Sequence, residues 1–321
     1  MKELELFYNY LRTKKTNPEI TIKNYNWEIK EFFEILNIKT IDDIKNLKVQ
    51  DLDIYKSKLI ENKNQLSSVR TKLCAIRSFF EFLVERDYIP KNIITKNVYP
   101  VVVKKKKNIP TSLGFKNIIE LSKYNMKYYT MTNLFISTGM RFSELASLTI
   151  DNLNDDTLKI IGKGSKERII ILQDNMVKLL NDYIKKYRKQ IKPISEEEFN
   201  NYLKSNVLKY KKMGTYDNYL KKMHECENLI FQSETGLKIS NSNFDKHIKN
   251  IATKAGINIK EKDISAHILR HFYAIFNLEH DVPLDVLQEN MGHQSINTTR
   301  IYAETSLERR RQESKKACWS F

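Results

Sequence analysis

Cysteine, proline and glycine are all scarce in this 321-residue chain, at 3, 6 and 8 copies. Cys74, Cys226 and Cys318 lie far apart with no CxxC pair. That excludes a disulfide framework and a cysteine-based zinc site, and it fits a reducing cytosol. No apolar run approaches the ~18 residues of a membrane span. The amino-terminal stretch MKELELFYNYLRTKK lacks the uninterrupted apolar core of a signal peptide. There is no carboxylate cluster suited to Mg²⁺, no P-loop and no HExxH pair, so neither a metal nor a nucleotide cofactor is expected. All eight glycines stand at or after Gly114, and all six histidines at or after His224. The chain before Gly114 thus has neither the usual turn-maker nor the usual acid–base residue, and reads as a helical module without chemistry of its own.

What is abundant is positive charge. Lys and Arg number 55 against 39 Asp and Glu, a formal net charge of +16. A field of that sign favours a polyanionic partner, either nucleic acid or an acidic membrane surface. With 41% hydrophobic and 29% charged residues the composition is globular, and the length fits two domains at ~150 residues each.

The expected fold is mainly α in two domains, the second α+β with a small antiparallel sheet. Residues 1–100 form a helical bundle. Asn17-Pro18 opens a helix carrying Ile22, Tyr25, Ile29, Phe32, Phe33 and Leu36; Leu52, Tyr55 and Leu59 mark another. Ser67 is placed to cap a third helix with the stripe Val69, Leu73, Ile76, Phe80, Leu83. The other face of that helix, with Arg70, Lys72 and Arg77, is either an ordinary solvated face or a surface laid against phosphates. Residues 101–112 form a linker whose run Lys104, Lys105, Lys106, Lys107 suits either solubility or a strap over a polyanion. Residues 113–321 form the second domain. Within it, 157–172 reads as a β-hairpin around a Gly-rich turn, 185–228 as an insertion with extra helices, and 303–321 as a basic tail with Arg309, Arg310, Arg311, Lys315 and Lys316.

Several features of the second half have an ordinary explanation when taken singly. Arg141 and Glu144 in TGMRFSEL are a helical i, i+3 pair. Lys163 lies in a hairpin turn, where lysines are common. His267 and Arg270 in HILRH are also three apart, with His271 adjacent. His293 in MGHQS precedes a helix capped by Ser295, and Tyr302 is one of 17 tyrosines. Together they form a toolkit. Two arginines can fork both non-bridging oxygens of a phosphate and hold charge where phosphoryl transfer develops it. Without a metal, such a transfer needs a side-chain nucleophile, and tyrosine forms a covalent phosphoester.

The ordered set TGMRFSEL, IIGKGSKERI, HILRH, MGHQSINTTRIY resembles the tyrosine recombinases (the phage-integrase family, which includes the Xer proteins), closest in layout to simple two-domain Xer-like members. The likeness covers both halves: a core-binding, SAM-like helical domain and a catalytic domain. It implies Arg141 and Arg270 as the two catalytic arginines, Lys163 (rather than nearby Lys166) as general acid toward the leaving 5′ oxygen, and His267 as handler of the tyrosine proton. It further implies His293 as a hydrogen-bond donor to phosphate and Tyr302 as nucleophile, with Glu144 and His271 supporting. Arg70, Lys72, Arg77 and Lys104–Lys107 are candidate DNA contacts.

The reaction so implied is site-specific cutting and rejoining of double-stranded DNA through a 3′-phosphotyrosyl intermediate, independent of metal and ATP. Its setting would be paired inverted-repeat core sites held by a tetramer, with a partner recombinase or directionality factor where needed, in the cytoplasm and off the membrane. The tail would dock on a neighbouring protomer or simply contact phosphate. The chain opens directly on core-binding helices, which argues for a simple recombinase over one with a separate amino-terminal arm-binding domain. Integration or excision of a mobile element and Xer-like dimer resolution both remain open. Type IB topoisomerase-like relaxation and a non-cutting DNA-binding paralogue are the alternatives.

Overall fold

The computed structural model describes residues 1–14, 18–102, 112–162, 166–188, 191–205, 213–257 and 265–292. Lys104–Lys107, Lys163, His293, Tyr302 and the basic tail lie outside them. The chain divides into two compact units, Met1–Lys105 and Lys106–Phe321.

The first unit consists of helices α1 (Lys2–Lys14), α2 (Pro18–Leu36), α3 (Ile41–Asn46), α4 (Val49–Glu61) and α5 (Leu66–Glu85). Its core gathers one stripe from each, with Phe7, Phe32, Tyr55, Phe79 and Phe80 at the centre. The Phe32 and Tyr55 rings meet edge-on at 5.0 Å. All five predicted stripe residues of α5 are buried. That helix starts earlier than expected, with Gln65 rather than Ser67 at its cap, because the Gln65 carbonyl already accepts from the amides of Ser68 and Val69.

The expected basic face of α5 needs a correction. Arg70 is exposed and lies over the Tyr99 ring at 5.3 Å, and Arg77 donates to Glu81 at 2.7 Å. Lys72, in contrast, is only 3% exposed. Its ammonium sits 2.9 Å from Glu28, 2.5 Å from Glu31 and 3.9 Å from the centre of the Trp27 ring. Position 72 is three residues past Val69 and four before Ile76, so helical geometry turns it inward. A lysine there must be paired, and it is.

The second unit contains α6 (Ser112–Ser122), α7 (Met126–Thr138), α8 (Phe142–Leu145), β1 (Leu153–Asn154), β2 (Thr157–Ile161), β3 (Glu167–Ile171) and α9 (Asp174–Asp182), which runs into a wider turn at Tyr183–Tyr187. There follow α10 (Glu196–Lys204), α11 (Tyr216–Glu225), α12 (Asn241–Lys254), α13 (Ala266–Glu279) and α14 (Leu284–Met291). The strands form an antiparallel sheet ordered β1-β2-β3, with Lys159 opposite Ile169. Leu158, Ile160 and Ile170 point into the core with Met131, Leu134, Phe135, Phe231, Phe244 and Leu269. Helices α10 and α11 fall within the anticipated insertion and share a small core of their own around Phe199, Met213, Tyr219 and Leu237.

Candidate active site

Two glycine turns prepare the site. Helix α7 ends at Gly139, whose left-handed φ of 60° closes the helix and turns its carbonyl. A Cβ at this position would stand 2.2 Å from the Tyr273 ring, so no other residue fits. Helix α14 ends the same way at Gly292, with φ 62°, where a Cβ would meet the Arg168 guanidinium at 2.8 Å. Leu287 and Met291 pin α14 to α13 through a cluster with Tyr273, Ala274 and Leu278, each buried apolar side chain contributing roughly 1.5–3 kcal/mol.

Three arginines converge on the end of α14. Arg168 Nε donates to the Asn290 carbonyl at 2.9 Å, Arg270 Nη2 to Met291 at 2.8 Å, and Arg141 Nη2 to Gly292 at 2.9 Å. Three consecutive carbonyls at a helix carboxyl terminus are thus each held by a different guanidinium. That satisfies the acceptors a helix end leaves over and complements its negative pole. Arg270, which is 4% exposed, also donates to the Gly139 carbonyl at 2.5 Å and so ties the two glycine turns together.

Glu144 is the counter-charge. Arg141 caps the short helix α8, and the Glu144 carboxylate reaches back to the Arg141 amide (2.8 Å) and to its guanidinium (2.9 Å). Arg168 arrives from β3 and forks the same carboxylate, at 3.2 Å to Oε1 and 2.7 Å to Oε2. Burial alone would push the Glu144 pKa up; hydrogen bonds from Arg168 and from the Arg141 amide outweigh it and hold the group below the ordinary carboxylate range. Three guanidiniums and one carboxylate leave a formal excess of two positive charges in a largely buried place, an environment suited to an anion with several acceptor oxygens.

Of the predicted site residues, the fold therefore brings Arg141, Glu144 and Arg270 together. His267 is exposed one turn before Arg270 on α13, its ring 6.4 Å from that of half-buried His271. Gly162, which precedes Lys163, lies beside the cluster: a Cβ there would be 3.4 Å from Glu144 Oε1. Gly292 is the residue before His293. Lys163, His293 and Tyr302 themselves fall outside the described residues. Arg168 was not anticipated, although the signal existed. It shares the inward phase of β3 with Ile170, and an arginine at an inward position demands an acidic partner.

The profile described as "Phage integrase family" matches residues 111–309, and that of the "Phage integrase, N-terminal SAM-like domain" matches 4–87. The chain belongs to the phage integrase family. Over 318 residues this family member is 28% identical to "Tyrosine recombinase XerD" of Staphylococcus haemolyticus, covering 96% of each chain. It is 27% identical over 314 residues to "Tyrosine recombinase XerC" of Bacillus subtilis, covering 95% of this chain and 92% of that one. Among solved structures, the Tn1549 transposon integrase in complex with transposon right end DNA superposes with a TM-score of 0.69 at 17% identity, over 98% of both chains. As a member of the phage integrase family with Xer relatives matched over nearly their whole length, this protein is a site-specific DNA recombinase.

Proposed function

We propose that this recombinase cuts and rejoins DNA strands through a tyrosyl phosphodiester, with the phosphate received by Arg141 and Arg270. The observation that carries the reading is the convergence of these two arginines on adjacent carbonyls, with a net positive charge around them, one residue before His293 in the chain. Tyr302 Oη attacks the phosphorus. The new Oη–P bond forms as the P–O5′ bond breaks, leaving a 3′-phosphotyrosyl ester and a free 5′-hydroxyl. Free tyrosine ionises near pH ~10 and needs a proton acceptor at neutral pH, a role that falls to His267. Lys163 supplies the proton to the departing 5′ oxygen, and His293 donates to a non-bridging oxygen. The ester retains the phosphodiester energy, so religation to another strand requires no ATP.

The partner is double-stranded DNA. A net charge of +16 supplies sequence-independent, salt-sensitive affinity, and the similar Tn1549 integrase is a DNA complex. In this reading residues 1–100 clamp the DNA as a core-type domain, Arg70 and Arg77 touch phosphates, 101–112 with Lys104–Lys107 straps the duplex, and 113–321 performs the chemistry. The active assembly is a tetramer on inverted-repeat core sites, helped by a second recombinase or directionality factor, in the cytoplasm.

The test is to incubate the protein with DNA flanking its own gene, recover SDS-stable adducts and map their ends. Adducts confined to 3′ ends at one inverted-repeat site support the reading. Adducts scattered without preference favour topoisomerase-like relaxation, and tight binding without any adduct favours a non-cutting role.

A further inference from the structure

We propose that Arg168, outside the phosphate-receiving set, is a positioning residue that fixes the direction of Arg141 by occupying Glu144. The inference rests on the recombinase reading above. Glu144 offers two oxygens, and Arg168 reaches both, at 3.2 and 2.7 Å. What remains for the Arg141 guanidinium is a single contact from Nη1 to Oε1 at 2.9 Å, while its Nη2 is drawn to the Gly292 carbonyl. A carboxylate relieved of Arg168 still accepts the Arg141 amide on Oε2, yet has room on its two oxygens for both ends of the Arg141 fork, the favoured geometry of that pair. Arg141 would then turn toward Glu144 and away from Gly292, and so away from the place where Arg270 also points.

Arg168 has a second hold, through Nε on the Asn290 carbonyl at 2.9 Å. One side chain thereby links three separate elements: strand β3, the α8 cap that carries Arg141, and the end of α14 that leads to His293. The glycine at 292 is part of the same device, since a Cβ there would displace the Arg168 guanidinium. A lysine in place of Arg168 keeps the charge but, as a point donor, cannot fork both oxygens and reach Asn290 together.

The experiment compares full-length wild type with Arg168→Gln, Arg168→Lys, Glu144→Gln and the Arg168→Gln/Glu144→Gln double variant. The probe is a plasmid carrying the DNA that flanks the gene. The rate of SDS-stable adduct formation is measured at saturating protein, beside DNA affinity and thermal unfolding of each variant. Groups that orient metal ligands typically matter by about 10- to 100-fold, and on that analogy Arg168→Gln should slow adduct formation by a similar factor with affinity nearly unchanged. Arg168→Lys should recover part of the rate. The double variant should be no slower than Arg168→Gln alone, because a neutral amide at position 144 no longer captures Arg141.

Wild-type rate in Arg168→Gln overturns the proposal. So does a loss of rate that follows loss of affinity and of unfolding temperature without recovery by lysine, or multiplicative losses in the double variant. A wild type that forms no adduct overturns the recombinase reading and this inference with it. A wild type that does, combined with any of the other outcomes, overturns this inference alone.

Discussion

Arg270 joins a proposed role at the phosphate to an observed one in the fold, and the sequence displays only the first. A spacing of three from His267 marks it for phosphate, but nothing local announces that it also holds the carbonyls of Gly139 and Met291 in a buried place. Arg270→Ala therefore leaves two buried acceptors without these donors, and should cost at least about 2 kcal/mol of stability along with cleavage. Urea unfolding beside an adduct assay measures both losses. Glu144 is the companion case. Its pKa, raised by burial and lowered further by Arg168 and Arg141, ends below the unfolded value. A depressed folded pKa contributes stability that is present above the unfolded pKa and is lost as pH falls through the folded one. Glu144→Gln should accordingly be less stable at neutral pH by about 1–3 kcal/mol, and the gap to wild type should narrow on acidification. Unfolding midpoints from neutral to acid pH check the sign.

At the level of elements, periodicity made most of the fold legible. The α5 stripe follows from helical spacing and the 157–172 hairpin from two β-branched runs around a glycine turn, although Ile161, Ile169 and Ile171 face outward. The two-residue strand β1 did not, because Leu153–Asn154 is too short to carry a pattern and exists only through pairing with β2. Arg168 and Lys72 escaped for a common reason. Charged residues in basic segments read as surface, yet phase places both inward, and their partners Glu144, Glu28 and Glu31 lie 24 or more residues away in the sequence. The contrast within α5 is open to experiment. Lys72→Met strips two partly screened carboxylates of their counter-charge and should cost about 1–3 kcal/mol of stability, while leaving the salt dependence of DNA binding unchanged. Arg70→Ala should leave stability alone and reduce the slope of log affinity against log salt by about one. Binding titrations across salt concentrations separate the two.

For the whole molecule, chemistry divides along the chain. Histidine is absent from the first unit, which buries an aromatic core; the arginine cluster belongs to the second. A cutting reaction built from guanidiniums, imidazoles, one lysine and one tyrosine should proceed undiminished in the presence of a chelator and without ATP, and should weaken steeply as salt rises. Adduct yields under those conditions check it. The central claim is that Tyr302 is the nucleophile of a phosphate held by Arg141 and Arg270, and Tyr302→Phe tests it most directly, because it removes one hydroxyl and little else. On DNA flanking the gene, wild type should give 3′-linked SDS-stable adducts while Tyr302→Phe binds with the same affinity and gives none. An adduct that persists in Tyr302→Phe would contradict the account.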